Sequence, residues 1–550
     1  MIVNKKGFTI VEMLGVVTIL VIISLFTFPL ITTLMTDSNN SKNKQFLELL
    51  YQASESYTEI NYDKYKNEEI GYISAKKLVE EGYLQTDYIN PITKLKITEE
   101  DGIVEVSRNV DRTFKFNYVI NQYIVINYVE DLIEILNNTS DYKNKIIVLS
   151  KDLDINDDKS YLDKNSKISN ITPKTIFKGK LIGNGYQIKN ININSENDNI
   201  GLFSVLDGAT IENIKLQGQI SGKNNIGLLA GSANNSKINN VSVDTKFTYN
   251  TSINSDSVGA LIGSATNTEI NNVNSKMDFT VNGNNIGGIV GKITSSIITK
   301  SNQEGFINGN QNVGGIIGSS ESTTINALTA KGRIFGNENI GGLIGNSSKD
   351  NITNANSSAI TSGSNNIGGI IGYASNTKVE KNYVAGEVSG INNIGGIIGY
   401  AQGNTNISKS NTTSEINGIE SVGGIVGNLS ASEISDCYSL SSIAADKQLG
   451  GLIGVSSSST LSNSYYSGMI LSNANNNIGG LIGISSSSTI LNTYYNLDLV
   501  KYDLIGSTTN DTKTNVAGKT KEEMQTQETY QDWDFVNIWK IDSNNYPTLR

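Results

Sequence analysis

The chain of 550 residues contains no histidine, one cysteine and four prolines. Without histidine there is no Ser-His-Asp or Cys-His catalysis and no His-ligated metal site. A lone cysteine, Cys437, cannot close an internal disulfide. Charged residues make up 17 % of the chain and the net charge is −10, so no basic stripe exists to neutralise phosphates and no nucleic-acid partner is expected. What remains is rich in Asn, Ser, Ile and Gly, a composition that suits short strands and turns.

The N-terminus departs from that composition. Lys5 and Lys6 precede Gly7, and an almost unbroken apolar run follows from Phe8 to Met35. The run is long enough to span a bilayer as a helix, which takes ~20 residues, with the lysines on the cytoplasmic side. Glu12 sits inside it, where a carboxylate is costly and needs a partner. Cations, glycine, aromatic and carboxylate at these offsets resemble the leader of type IV prepilins and pseudopilins. The resemblance implies cleavage by a prepilin peptidase between Gly7 and Phe8, and N-methylation of Phe8 by the same enzyme. It also implies assembly with other pilin subunits through Glu12. Pro29 falls where such helices kink. The stripe Phe46, Leu50, Ala53, Tyr57 and Ile60 predicts that an amphipathic helix continues outside the membrane.

On this reading residues 1–7 are a leader, 8–62 the membrane-spanning and extended helix, and 63–120 a small α+β head. Ser74 caps a short helix there, Gly82 ends it, Asn90-Pro91 turns, and two strands flank Asn109 to Arg112. Residues 121–199 form an N-terminal cap with a one-sided helix from Val129 to Leu136. Within it Asp152, Asp154, Asn156 and Asp163 imitate a calcium loop. Asp157 occupies the sixth place where such loops need glycine, so the stretch reads as a solvated acidic turn and no metal site is assigned.

From residue 225 one phrase recurs, Asn-Ile-Gly-Gly-Ile-Ile-Gly and close variants. Its first glycine runs from Gly227 to Gly479 at intervals of 27 to 32 residues. A fixed period of this size marks a solenoid. Each repeat supplies three short strands and three turns, and stacked coils share one core. The fold expected is mainly β: a right-handed parallel β-solenoid of about ten coils over 200–495, ~50 Å long at ~4.8 Å per coil, with a C-terminal cap at 496–550. The glycines fit corners of positive φ or close backbone approach, and Asn285, Asn312, Asn339, Asn366 and Asn393 should stack as a ladder. The phrases resemble the GLUG repeat of bacterial surface proteins. Trp533 and Trp539 with Tyr546-Pro547 are expected to seal the last coil.

The function that follows from both resemblances is a minor or tip pilin-like surface adhesin for glycans or host surfaces. It is anchored in the cytoplasmic membrane, takes no cofactor and is not an enzyme. The alternatives are a pseudopilin of secretion or DNA uptake, and a polysaccharide-cleaving β-helix. For the last, Glu387 and Glu415 lie one repeat apart, near the ~5 Å separation of retaining glycosidases. Cys437 falls in a slot shared with Ser410 and Ser464, which points to interior packing.

Overall fold

The computed structural model describes residues 40–65, 70–85, 97, 103–109, 113–119, 123–139, 142–143, 145–157, 176–247, 254–472 and 477–550. Gly7, Phe8, Glu12, Pro29, Asn90, Pro91 and Asp163 lie outside them. No helix among the described residues is long and apolar enough to cross a membrane. The chain divides into two compact units, Met1–Val125 and Ile126–Arg550.

The first unit pairs helix Asn40–Ile60 with a three-stranded antiparallel sheet. Phe46, Leu50, Ala53 and Tyr57 are buried as the stripe predicts, against Ile73, Leu78, Val104 and Val106. Ile60, expected in the same stripe, is 75 % exposed because the helix ends there. Ser74 caps helix Ala75–Glu80 by accepting the Lys77 N–H at 3.0 Å. Gly82 follows at φ 79°, and strands Ile103–Arg108 and Phe114–Val119 pair as the expected hairpin.

The second unit is a parallel β-solenoid of about thirteen turns, right-handed in type. The expected ten coils were counted from the glycine phrase. Coils without that phrase stack as well: Ile176–Phe177 pairs with Val205 and Leu206, and Ile505–Thr509 extends Ile482–Ser486. Parallel stacking needs only an in-register strand with an apolar inward side, so the phrase undercounts the turns.

Each coil has three faces. In one coil, Asn392–Gly395 lies on the first, Ile398–Gln402 on the second, and Asn406–Ser408, Asn411–Thr412 and Glu415–Asn417 on the third. Inward residues repeat from coil to coil. Ile340, Ile367 and Ile394 form one fully buried column, and Ile352, Val379 and Ile407 another. Burying such side chains stabilises by ~1.5–3 kcal/mol each.

The corners distinguish asparagine from glycine. In one coil φ is 58° at Asn366, 52° at Asn376 and 58° at Lys381. Asparagine tolerates this left-handed region because its short amide bonds locally. The predicted ladder is present: Asn312, Asn339, Asn366 and Asn393 each donate from Nδ2 to Oδ1 of the previous member at 2.8–2.9 Å. No phrase glycine has positive φ. Of the two roles expected for them, close approach is the one they fill: a Cβ on Gly342 would overlap the Gly369 carbonyl.

Hydroxyl columns line the inside of two corners. Ser410 Oγ donates to the Ser408 carbonyl at 2.8 Å and accepts the Asn382 N–H at 3.1 Å. Cys437 takes the same slot, with Sγ donating to the Ser435 carbonyl at 3.2 Å. In the other column Asp350 stands between Thr323 and Thr377. It accepts the Thr323 N–H at 2.8 Å and the Ser347 hydroxyl at 2.6 Å. Burial raises its carboxyl to about 6, against the pull of those hydrogen bonds.

Candidate functional site

Over its first coils the third face is built from long strands. Thr210–Ser221, Lys237–Phe247 and Glu269–Thr280 are followed by Asn302–Asn308 and Thr329–Phe335. Side chains alternate in and out, so residues two apart share the outer surface. Parallel register then aligns them into columns along the solenoid.

Two outer columns enclose a groove of about 590 Å³. One wall carries Gln187, Lys215, Ser242, Asn274, Asn302 and Thr329, each aligned with the next. The other carries Asp244, Lys276, Glu304 and Lys331, also in register. That wall therefore alternates in sign, coil by coil. All four charges are exposed. Among the described residues none of the four closes an ion pair, whereas Lys180 and Glu212 at another position pair at 3.0 Å. Six coils at ~4.8 Å make the groove ~24 Å long. No motif in the sequence singles out these charges. Their signal was available: each stands 17 residues after the first glycine of its repeat, counted from Gly227, Gly259, Gly287 and Gly314.

The other end of the same face is covered. The outer column continues from Thr329 through Asn356, Tyr383 and Asn411 to Tyr438, Tyr465 and Tyr494. On the last three lies the C-terminal segment. Trp533, Trp539 and Tyr530 surround Tyr465, which is fully buried, and its hydroxyl donates to the Pro547 carbonyl at 2.7 Å. Trp539 Nε1 donates to Asp436 at 3.2 Å, and Trp533 Nε1 to the Asn492 carbonyl at 2.9 Å. The segment expected to seal the last coil thus lies along the side of three coils, because the apolar surface it covers is this tyrosine column.

The other candidate residues fall into place separately. Glu387 and Glu415 are direct register partners in adjacent coils, as their spacing predicts, and both are exposed. Cys437 is fully buried and burial pushes its thiol up, which fits interior packing and not a nucleophile. Asp152 accepts the Gln187 N–H at 2.8 Å. Burial opposes ionisation of Asp154, but Asn190, the Asn156 N–H and Lys189 hold its carboxyl below the usual range. Both side chains therefore tie one coil to the next.

A family model described as the M26 IgA1-specific metallo-endopeptidase N-terminal region matches residues 149–245. Among solved structures, a putative immunoglobulin A1 protease from Bacteroides ovatus is 15 % identical, with 78 % of this chain and 91 % of that chain covered and a TM-score of 0.20. A structure titled IgA1 Protease is also 15 % identical, with 72 % of this chain and 24 % of that one covered and a TM-score of 0.23. This chain thus spans about a quarter of the second structure. At such scores neither likeness carries weight of its own. No curated protein matches.

The family match overturns the assignment drawn from the N-terminal motif. The model that matches is neither the type IV pilin nor the GLUG repeat. Pilus assembly, prepilin processing, methylation and a transmembrane anchor give way as the functional account, as do the pseudopilin and polysaccharide-enzyme alternatives. The expectation of a non-enzymatic adhesin gives way to a link with a protease family. A metallo-endopeptidase implies a metal centre. This chain has no histidine, its cysteine is buried, and no three metal-ligating side chains come together among the described residues. The described residues do not fit such a centre.

Proposed function

We propose that this chain is the solenoid region of an IgA1-protease-like protein and that its third face holds immunoglobulin A1 for cleavage. The observation that carries this reading is the family match over residues 149–245, a stretch that contains Gln187, Lys215, Ser242 and Asp244 of the groove. The architecture supports it. A rigid stack of coils presents a long, ordered surface at low entropic cost, which suits positioning of an extended partner. The metal chemistry implied by the family finds no donor set among the described residues, so no bond-breaking step is assigned to any of them.

The test is retention of IgA1 by the full, immobilised chain, with IgG as the control. Selective retention of IgA1, weakened by added salt, is the expected result. Equal retention of both immunoglobulins, or of neither, overturns the reading.

A further inference from the structure

We propose that the groove of the third face is a docking track for an extended polypeptide segment bearing side chains of both signs. This deepens the reading above and rests on it only for which protein supplies the segment.

The first observation is the wall formed by Asp244, Lys276, Glu304 and Lys331. Neighbours in it are one coil apart, so like charges recur every ~9.6 Å, which is roughly three residues of extended chain at ~3.3 Å each. A polyanion meets Asp244 and Glu304 with repulsion. A neutral glycan leaves four charges without partners, and stripping water from unpaired charges is costly. A polymer with cations and anions interspersed satisfies all four, and that polymer is a polypeptide. The opposite wall, with Asn274 and Asn302 hydrogen-bonded to each other at 3.1 Å, offers amides to a partner's backbone.

The second observation is independent of charge. The same outer column that begins at the groove ends under a polypeptide segment, the chain's own C-terminal stretch on Tyr438, Tyr465 and Tyr494. The groove therefore shares one outer column with an interface that the molecule already forms, with the coils of Asn356, Tyr383 and Asn411 between them. The two stretches differ in what they select: aromatic rings at one end, alternating charges at the other.

The experiment uses the full chain and fluorescence anisotropy with three labelled probes: a peptide with Lys and Glu interspersed at three-residue spacing, a heparin oligosaccharide, and a neutral oligosaccharide. The mixed peptide should bind best, and more weakly as salt rises. A variant carrying Asp244→Asn, Lys276→Gln, Glu304→Gln and Lys331→Gln, with unchanged circular dichroism, should lose roughly tenfold or more in peptide affinity. A second variant, Asp244→Lys with Glu304→Lys, should lose the mixed peptide and gain heparin. Unchanged peptide binding by both variants overturns the proposal, as does tighter binding of either oligosaccharide to the unmodified chain. If the peptide binds as expected while IgA1 is not retained, the reading above fails and the docking track stands. If the neutralised variant loses the mixed peptide but retains IgA1 equally, the docking track stands and the reading that seats IgA1 on this face fails.

Discussion

One face of the solenoid does opposite things at its two ends. Over the coils from Gln187 to Lys331 it is open and lined with charge. Over Tyr438, Tyr465 and Tyr494 it is closed by aromatic rings, with Trp533 and Trp539 centred 4.4 Å apart. The backbone beneath is a parallel ladder in both places, in long strands under the groove and mostly in short ones under the covered end. What each end presents to solvent is set by the outward residues, which the ladder does not need and which are therefore free to vary. The comparison teaches that in a solenoid the inward residues specify the fold while the outward columns are where function can be written.

The largest test of this contrast is Trp539→Ala. It removes a fully buried indole and one of the donors to Asp436, and should cost about 3–5 kcal/mol in denaturant unfolding. Hydrogen exchange should rise over residues 436–496 and stay unchanged over 210–335. Faster exchange in the groove coils would mean that the two ends are not independent.

Asp350 lies in one of the coils between them, and Asp350→Thr should restore the hydroxyl column. The folded carboxyl titrates near 6 and the unfolded one near 3.8, so the folded state prefers the proton. The resulting penalty is fully present above pH 6, fades as pH falls toward 3.8, and is absent below. The variant should therefore gain on the order of 3 kcal/mol at pH 8 and lose that advantage near pH 4, read from unfolding at both pH values. A gain that does not depend on pH would show that Asp350 is not held this way.

Asn366→Ala removes one rung of the asparagine ladder at φ 58° and should cost about 1–2 kcal/mol. Asn339→Ala should cost the same, which a thermal scan of both variants checks. The smallest effect belongs to Cys437→Ser, under the covered end. Its slot already holds Ser410 and Ser464 in neighbouring coils, so the change should stay below about 1 kcal/mol. The native thiol should resist iodoacetamide, and rapid labelling would contradict its burial.

Much of the architecture was legible in advance. The period of the glycine phrase located the coils, the asparagine two residues before most of the first glycines located a ladder, and Ser74 and Gly82 bracketed a helix that forms between them. The asparagine corners were legible as a ladder but not as the left-handed positions. Glycine was the stronger prior for positive φ, yet here its missing side chain is used to let neighbouring coils touch. The groove was the harder feature. Its charges are single residues scattered at 32, 28 and 27 residue intervals, and only the shared offset of 17 from each phrase connects them. The family assignment failed for a related reason: a sharp motif in the first twelve residues outweighed a long stretch with no short signature.

The sequence by itself determined the period, the inward columns of Ile and Val, and the absence of histidine chemistry. These are local or periodic properties, and burial of apolar side chains acts on them wherever the chain folds. Only the tertiary structure decided which outward residues stand together and where the C-terminal segment rests. Trp539 meets Asp436 across 103 residues, and Lys276 meets Asp244 through the register of two separate strands. Such meetings depend on how coils align, and alignment is set by the summed packing of the whole stack.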